Sequence, residues 1–127
     1  AQVAEVVRSD NQLSKRMFQV AGHTDNTPYG GGPFKDNWGL SLARARQVVV
    51  FLVAPNTPPK NPPAGKKAEP TGGGLDPKNW AAAGYGETDP AAGTIATQSK
   101  EEKDRNRRVE LVVQPNVEEM LNLGSIK

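Results

Sequence analysis

The 127-residue chain contains no cysteine. Disulfides, thiol catalysis and Cys-ligated zinc are thereby excluded, while the compartment stays open. There is one histidine. A His-x-Asp pair without a second His or a Cys makes a poor zinc site, so no metal and no cofactor is expected. No apolar run approaches the roughly 20 residues that cross a bilayer. Neither a signal-peptide pattern nor an initiator Met opens the chain. Charge of either sign is not in excess: 16 Lys and Arg against 14 Asp and Glu leave +2, too little to argue for nucleic acid. Aromatic residues are 6% of the chain, against 35% hydrophobic and 24% charged. Those proportions suit a soluble globular domain, and the length allows one core rather than two.

Glycine and proline are plentiful, at 13 and 11, and they cluster. Residues 55–74 (PNTPPKNPPAGKKAEPTGGG) hold six prolines and four glycines, with Ala64 and Ala68 as the only apolar side chains. Such a segment buries too little to offset its ordering entropy and reads as an exposed, part-polyproline insert. Elsewhere the periodicity is informative. Val3, Val6 and Val7 fall at helical spacing, so residues 1–9 read as an amphipathic helix. Residues 16–22 read as a strand carrying Phe18 and Val20, and residues 27–36 as a Gly- and Pro-rich loop. Asp36 or Asn37 then caps a helix that Pro55 stops near Val53. Its expected core stripe is Leu42, Ala45, Val48, Val49 and Leu52. Trp80–Gly84 is a short strand, residues 98–105 a polar helical turn, and Arg108–Val113 a strand with Val109, Leu111 and Val113 on one face. This order predicts an α/β (α+β) sandwich with helices on one face of a sheet.

The chemistry gathers where the first strand gives way to its loop, at Gly22-His23-Thr24-Asp25-Asn26. On the following helix Leu40 and Arg44 stand one turn apart, about 90° round from the centre of the core stripe at 100° per residue. An Asp and an Arg on separate rigid elements bind each other, or else a ligand that carries both an ammonium and a carboxylate. Thr24 and Asn26 either satisfy turn backbone or offer N–H groups to such a ligand. Arg107 alternates inward with Val109 and Leu111 and needs a partner carboxylate, a structural ion pair near the pocket. Arg108 and Glu110 point the other way, into solvent. His23 reads as a hydrogen-bonded structural residue, and Trp38 and Trp80 as core or rim packing.

Four motifs occur in one order: GHTDN at residues 22–26, N-x-x-L-S-x-x-R-A from Asn37 to Ala45, GYGExxP at residues 84–90, and NRRVE at residues 106–110. Together they resemble the OmpA-like C-terminal domain shared by OmpA, the Pal lipoproteins and the MotB stator proteins, with Asn37-Trp38 closest to the MotB-like branch. The resemblance covers residues 1–114 apart from the insert, leaving 115–127 as a C-terminal tail. It implies a non-covalent peptidoglycan anchor in the periplasm of a Gram-negative bacterium, attached to the outer membrane or envelope through a parent protein. The implied ligand is the meso-diaminopimelate of the stem peptide, whose free end is an ammonium and a carboxylate on one carbon. Carried over residue by residue, Asp25 takes the ammonium and Arg44 the carboxylate. Thr24, Asn26, Asn37, Leu40 and Arg107 surround them.

Three departures accompany the resemblance. The family's βαβαβ-type sheet begins with a strand before its first helix, and this chain starts in that helix, so the first strand is expected to be missing. That leaves an open sheet edge or one filled by another chain, a homodimer included. Residues 30–33 stretch the spacing between Asp25 and Arg44, and residues 55–74 replace a short turn. An enzyme is not expected. An amidase needs zinc or an activated nucleophile, and a muramidase needs two carboxylates across a cleft. The other class open to this sequence is a protein-interaction domain of an envelope or flagellar stator complex.

Overall fold

The computed structural model describes residues 2–30, 32–56, 64, 65 and 72–114. Six regular elements run in the order α1 (Gln2–Ser9), β1 (Phe18–His23), α2 (Asn37–Val53), β2 (Trp80–Gly84), α3 (Lys100–Asn106) and β3 (Arg108–Val113). Short 3-10 turns at Leu13–Lys15 and Pro77–Asn79 precede β1 and β2. The strands are ordered β2-β1-β3. β1 and β2 are parallel, with Phe18 opposite Trp80 and Gly22 opposite Gly84. β1 and β3 are antiparallel, with Phe18 opposite Val113 and His23 opposite Arg108. This is the expected mixed α/β sheet, with three strands among the described residues. The tail at 115–127 and most of the 55–74 insert lie outside them.

Local chemistry sets the helix ends. The Asp36 carboxylate accepts the Gly39 N–H at 2.9 Å, so Asp36 is the cap of α2. At the other end Pro55 cannot continue the helix. The open carbonyls of the last turn are met from the far side of the insert. Gly73 N–H donates to Phe51 O at 2.9 Å, Gly74 N–H to Ala54 O at 2.8 Å, and Leu75 N–H to Leu52 O at 3.0 Å. The end of the insert therefore belongs to the packed domain. A Cβ at Gly73 would stand 2.6 Å from Leu52 O and 2.8 Å from the Ala4 Cβ, so backbone alone fits there. α3 begins with a reciprocal capping box between Ser99 and Glu102.

The core joins Ala4 and Val7 of α1, Phe18 and Val20 of β1, Ala45 and Leu52 of α2, Leu75, and Trp80 of β2. Phe18 and Trp80 stack across neighbouring strands, with ring centroids 4.5 Å apart. Trp38, by contrast, is exposed.

Three sequence expectations about faces are corrected. On α1 the buried pair is Ala4 and Val7, while Val3 and Val6 face solvent. Close approach to Gly73 selects a residue as small as Ala4. On α2 Leu42 is exposed and Asn37 and Ser41 are buried, with Ala45 and Leu52 as expected. Here the helix backbone rests on glycines. A Cβ at Gly22 would overlap the Ser41 carbonyl, and one at Gly84 would stand 2.6 Å from Leu42 N. On β3 the side chains of Val109, Leu111 and Val113 share a sheet face with Phe18 and Val20 but remain 40–44% exposed. α2 packs across β1 and β2, and that layer does not bury β3.

Candidate ligand-binding site

At the C-terminal end of β1 the chain is locked by the loop after β2. Tyr85 N–H donates to Gly22 O at 3.0 Å, and Thr24 N–H to Gly86 O at 2.9 Å. Gly86, in the left-handed region at φ 59°, donates its own N–H to Ser41 Oγ at 3.0 Å. Asn37, at the start of α2, donates from Nδ2 to Thr27 O at 3.0 Å and to Glu87 Oε2 at 2.5 Å. Buried Asn106 holds the loop before α3, accepting from the N–H groups of Ala91 and Ala92. The four sequence motifs therefore converge on one corner of the sheet and hold one another.

Asp25 is buried in that corner. Its Oδ1 accepts the Thr27 N–H at 2.8 Å, and its Oδ2 pairs with Arg107 Nη1 at 2.5 Å. Arg107 is braced from its other side by Asp104 at 2.9 Å. Burial alone would raise the Asp25 carboxyl, but the Thr27 N–H and the Arg107 guanidinium outweigh it and hold the group below its ordinary value. Asp25 is therefore a carboxylate at any pH near neutral. The partner carboxylates required for Arg107 are Asp25 and Asp104. Its side chain is 41% exposed rather than turned inward with β3.

A cavity of about 180 Å³ opens beside this pair. Thr24, Asp25, Asn37, Leu40, Arg44 and Arg107 line it, six of the seven residues singled out in the sequence. Asn26 is not among the lining residues. Its N–H donates to Gln98 Oε1 at 3.2 Å and its Nδ2 to Ile95 O at 3.2 Å, which ties the corner to the loop before α3. The Thr24 N–H is likewise taken, by Gly86, so neither amide is free for a ligand. Arg44 is exposed, and no ion pair or hydrogen bond engages its guanidinium among the described residues. The sequence left open whether Asp25 and Arg44 bind each other. In the structure Asp25 pairs with Arg107 and Arg44 stays available. Thr27, Pro28 and Tyr29 complete the lining and were not anticipated. Their one sequence signal is an aromatic residue in a Gly- and Pro-rich run directly after the first motif. A larger, open hollow on α1, lined among the described residues by Glu5, Val6, Ser9 and Asp10, lies apart from the motifs. Among the described residues no three His, Asp or Glu side chains converge as metal ligands.

His23 departs from expectation. It is buried, stacked on Tyr85 with centroids 5.2 Å apart, and neither ring nitrogen makes a hydrogen bond. Nε2 lies 3.5 Å from Glu110 Oε2, an electrostatic contact only. Arg108 is not solvated either: it is half-buried beside His23, donating to Glu110 Oε1 at 2.6 Å and to Asp89 O at 3.0 Å. Burial lowers the His23 pKa first and Arg108 lowers it further, against the opposing pull of Glu110 and Asp89. The folded domain therefore holds this imidazole neutral, while the unfolded chain protonates near 6.5. The resulting stability is present above pH 6.5 and is lost as pH falls through that value towards the lower folded pKa. Thermal melts at pH 7.5 and 5.5 are expected to show a drop in Tm for the wild type, and a smaller drop for His23→Gln. Equal drops in the two proteins would place the titration elsewhere.

Residues 1–107 match the model of the OmpA family. Motility protein B of Bacillus subtilis (strain 168) is 34% identical over 100 residues, covering 79% of this chain and 31% of that protein. Motility protein B of Helicobacter pylori (strain J99) is 27% identical over 125 residues, covering 98% of this chain and 40% of its own length. The chain thus spans less than half the length of these curated relatives. Among solved structures, the periplasmic domain of Helicobacter pylori MotB superposes with a TM-score of 0.69 at 23% identity, covering 98% of this chain and 65% of that one. At that identity the likeness speaks to the fold. The cell wall anchor of the T6SS from Pseudomonas aeruginosa gives a TM-score of 0.59 at 32% identity, covering 91% of this chain and 63% of that one.

Proposed function

The chain belongs to the OmpA family, and from that premise we propose that it is a periplasmic, non-catalytic peptidoglycan-binding domain that reads the meso-diaminopimelate of the stem peptide. The observation that carries this reading is that opposite charges line one small cavity. Asp25 is buried and ionised, and Arg44 is uncommitted among the described residues. The Asp25 oxygens each retain acceptor capacity beyond Thr27 and Arg107, so they can receive an ammonium. The Arg44 fork suits the neighbouring carboxylate. A cavity of about 180 Å³ has room for the end of one amino-acid side chain. Among the described residues of the lining Asp25 is the only carboxylate, which argues against a two-carboxylate hydrolase. Support also comes from the similarity to a cell wall anchor and to periplasmic motility proteins. By that analogy the domain anchors an outer-membrane or envelope protein to the wall.

Ligand discrimination tests the proposal. Lysine keeps the side-chain ammonium of diaminopimelate but lacks its carboxylate, so a lysine-type wall leaves Arg44 unpaired at the ligand. Sites built to pair with a charged group reject analogues that lack it. The domain is expected to sediment with diaminopimelate-type sacculi and weakly or not at all with lysine-type sacculi, with amidated diaminopimelate between them. Equal pelleting with both walls, lost together on adding salt, would mean generic attraction of a +2 domain to anionic polymer. The alternative is an interaction domain of an envelope or stator complex, a reading that draws on the motility protein relatives. Binding to purified sacculi, free of protein partners, separates the two.

A further inference from the structure

The cavity lining is of two kinds. Asp25, Arg44 and Arg107 supply charge, whereas Pro28, Tyr29 and Leu40 supply apolar surface. We propose that Tyr29 is a specificity-determining wall of this site, packing its ring along the methylene chain that carries the ligand's charged end. The inference rests on the reading of the cavity as a diaminopimelate site and adds a residue that the charge clamp does not require.

The loop holds this ring from both ends. At its root Thr27 is tied three ways: its N–H to Asp25 Oδ1, its carbonyl to Asn37 Nδ2, and its hydroxyl to Lys103 Nζ at 3.1 Å. Tyr29 follows two residues later, half-buried, with its ring 6.2 Å from that of Phe34 at a tilt of 40°. Its hydroxyl end abuts Gly32, where an added Cβ would overlap the phenol oxygen. With the hydroxyl directed at Gly32, it is the ring carbons of Tyr29 that the proposal sets against the ligand's methylenes. The return of the loop is also constrained. Lys35 sits in the left-handed region at φ 67°, and the next residue, Asp36, caps α2. A zwitterion on a short carbon chain needs an apolar contact beyond its charges, because a few charged groups alone fix its end and not its stem. Each methylene covered by the ring is worth a factor of roughly four in affinity, about 0.8 kcal/mol.

The experiment measures sedimentation of the domain with diaminopimelate-type sacculi across protein concentrations. Free meso-diaminopimelate and D-alanine serve as soluble competitors. D-Alanine carries the same ammonium and carboxylate without the methylene chain. Tyr29→Ala is expected to weaken binding about fivefold and Tyr29→Phe to stay within twofold of wild type. The advantage of diaminopimelate over D-alanine as competitor is expected to shrink in Tyr29→Ala, a ratio that a merely structural role would not move. An unchanged ratio, or Tyr29→Phe as weak as Tyr29→Ala, overturns the proposal. If Asp25→Asn abolishes binding while Tyr29→Ala leaves it intact, only the Tyr29 wall fails. If the wild type does not prefer diaminopimelate-type walls, the underlying reading of the site fails.

Discussion

Arg44→Ala is expected to weaken binding to diaminopimelate-type sacculi by roughly 30-fold while leaving the thermal melt unchanged. No ion pair or hydrogen bond engages this guanidinium among the described residues, so its removal costs the free domain nothing there. Truncating one partner of a hydrogen-bonded charge pair that binding buries costs about 2–5 kcal/mol, against under about 1 kcal/mol for an exposed pair. Arg44 is exposed until ligand covers it, which places the loss near 2 kcal/mol, or about 30-fold. For Asp25 the informative substitution is Asn, because an amide oxygen still accepts the Thr27 N–H while the charge is gone. Asp25→Asn is expected to lose at least as much affinity as Arg44→Ala. The depressed Asp25 pKa also sets the pH range. Its contribution to folding is complete above the unfolded value of 3.8 and is lost as pH falls through the lower folded value. Binding is therefore expected to survive at pH 5. Wild-type pelleting by both variants would show that the cavity is not the wall-binding site.

Gly22→Ala is expected to produce the largest loss of stability, about 3 kcal/mol, read as a fall in Tm on the order of 10 °C. The added methyl would meet the Ser41 carbonyl at a separation real side chains do not show, and the obstacle is helix backbone rather than a flexible side chain. α2 would have to lift from β1. That movement would also disturb the Ser41 hydroxyl, which accepts from Gly86, and the Asn37 amide that spans Thr27 and Glu87. Stability on the order of 5–15 kcal/mol leaves such a variant folded or barely so, and either result is visible in a melt. A Tm within two degrees of wild type would show that the glycine seat is not needed.

These two sites differ in how far sequence reveals them. β1, α2, β2 and β3 are visible because their signals are local: alternation around Val20, a cap at Asp36, a stop at Pro55. The buried face of α2 is visible from Ala45 to Leu52, with Val48 and Val49 packed on the core, but not in its first turns. Hydrophobic periodicity counts side chains and so selects Leu42, whereas the helix sits down on Gly22 and Gly84 through its backbone and turns Ser41 inward. On β3, alternation identifies which side chains share a face but not whether a second layer covers them. At the site, Asp25 and Arg44 stand out because motifs bracket them, and both line the cavity. The partner of Asp25 was harder to name. Arg107 lies 82 residues away, and a need for some carboxylate does not say which one. Tyr29 sits in a stretch with no periodicity, where only the folded loop brings the ring to the cavity.

The strand order β2-β1-β3 bears on how quickly the domain can form. β1 is central, yet both of its partners lie far along the chain: Phe18 pairs with Trp80 on one side and with Val113 on the other. No hairpin exists among the described strands to close early and template the rest. Each ladder must wait for a long stretch of chain to be gathered, and that entropy is spent before any strand contact rewards it. Refolding is accordingly expected on the millisecond-to-second scale of domains dominated by non-local pairing, not in the microseconds of a helical bundle. During that interval β1 carries Phe18, Val20 and Ala21 with both of its edges unpaired. Those side chains are buried in the folded domain, so the open edges of β1 expose it to mispairing until its partners arrive.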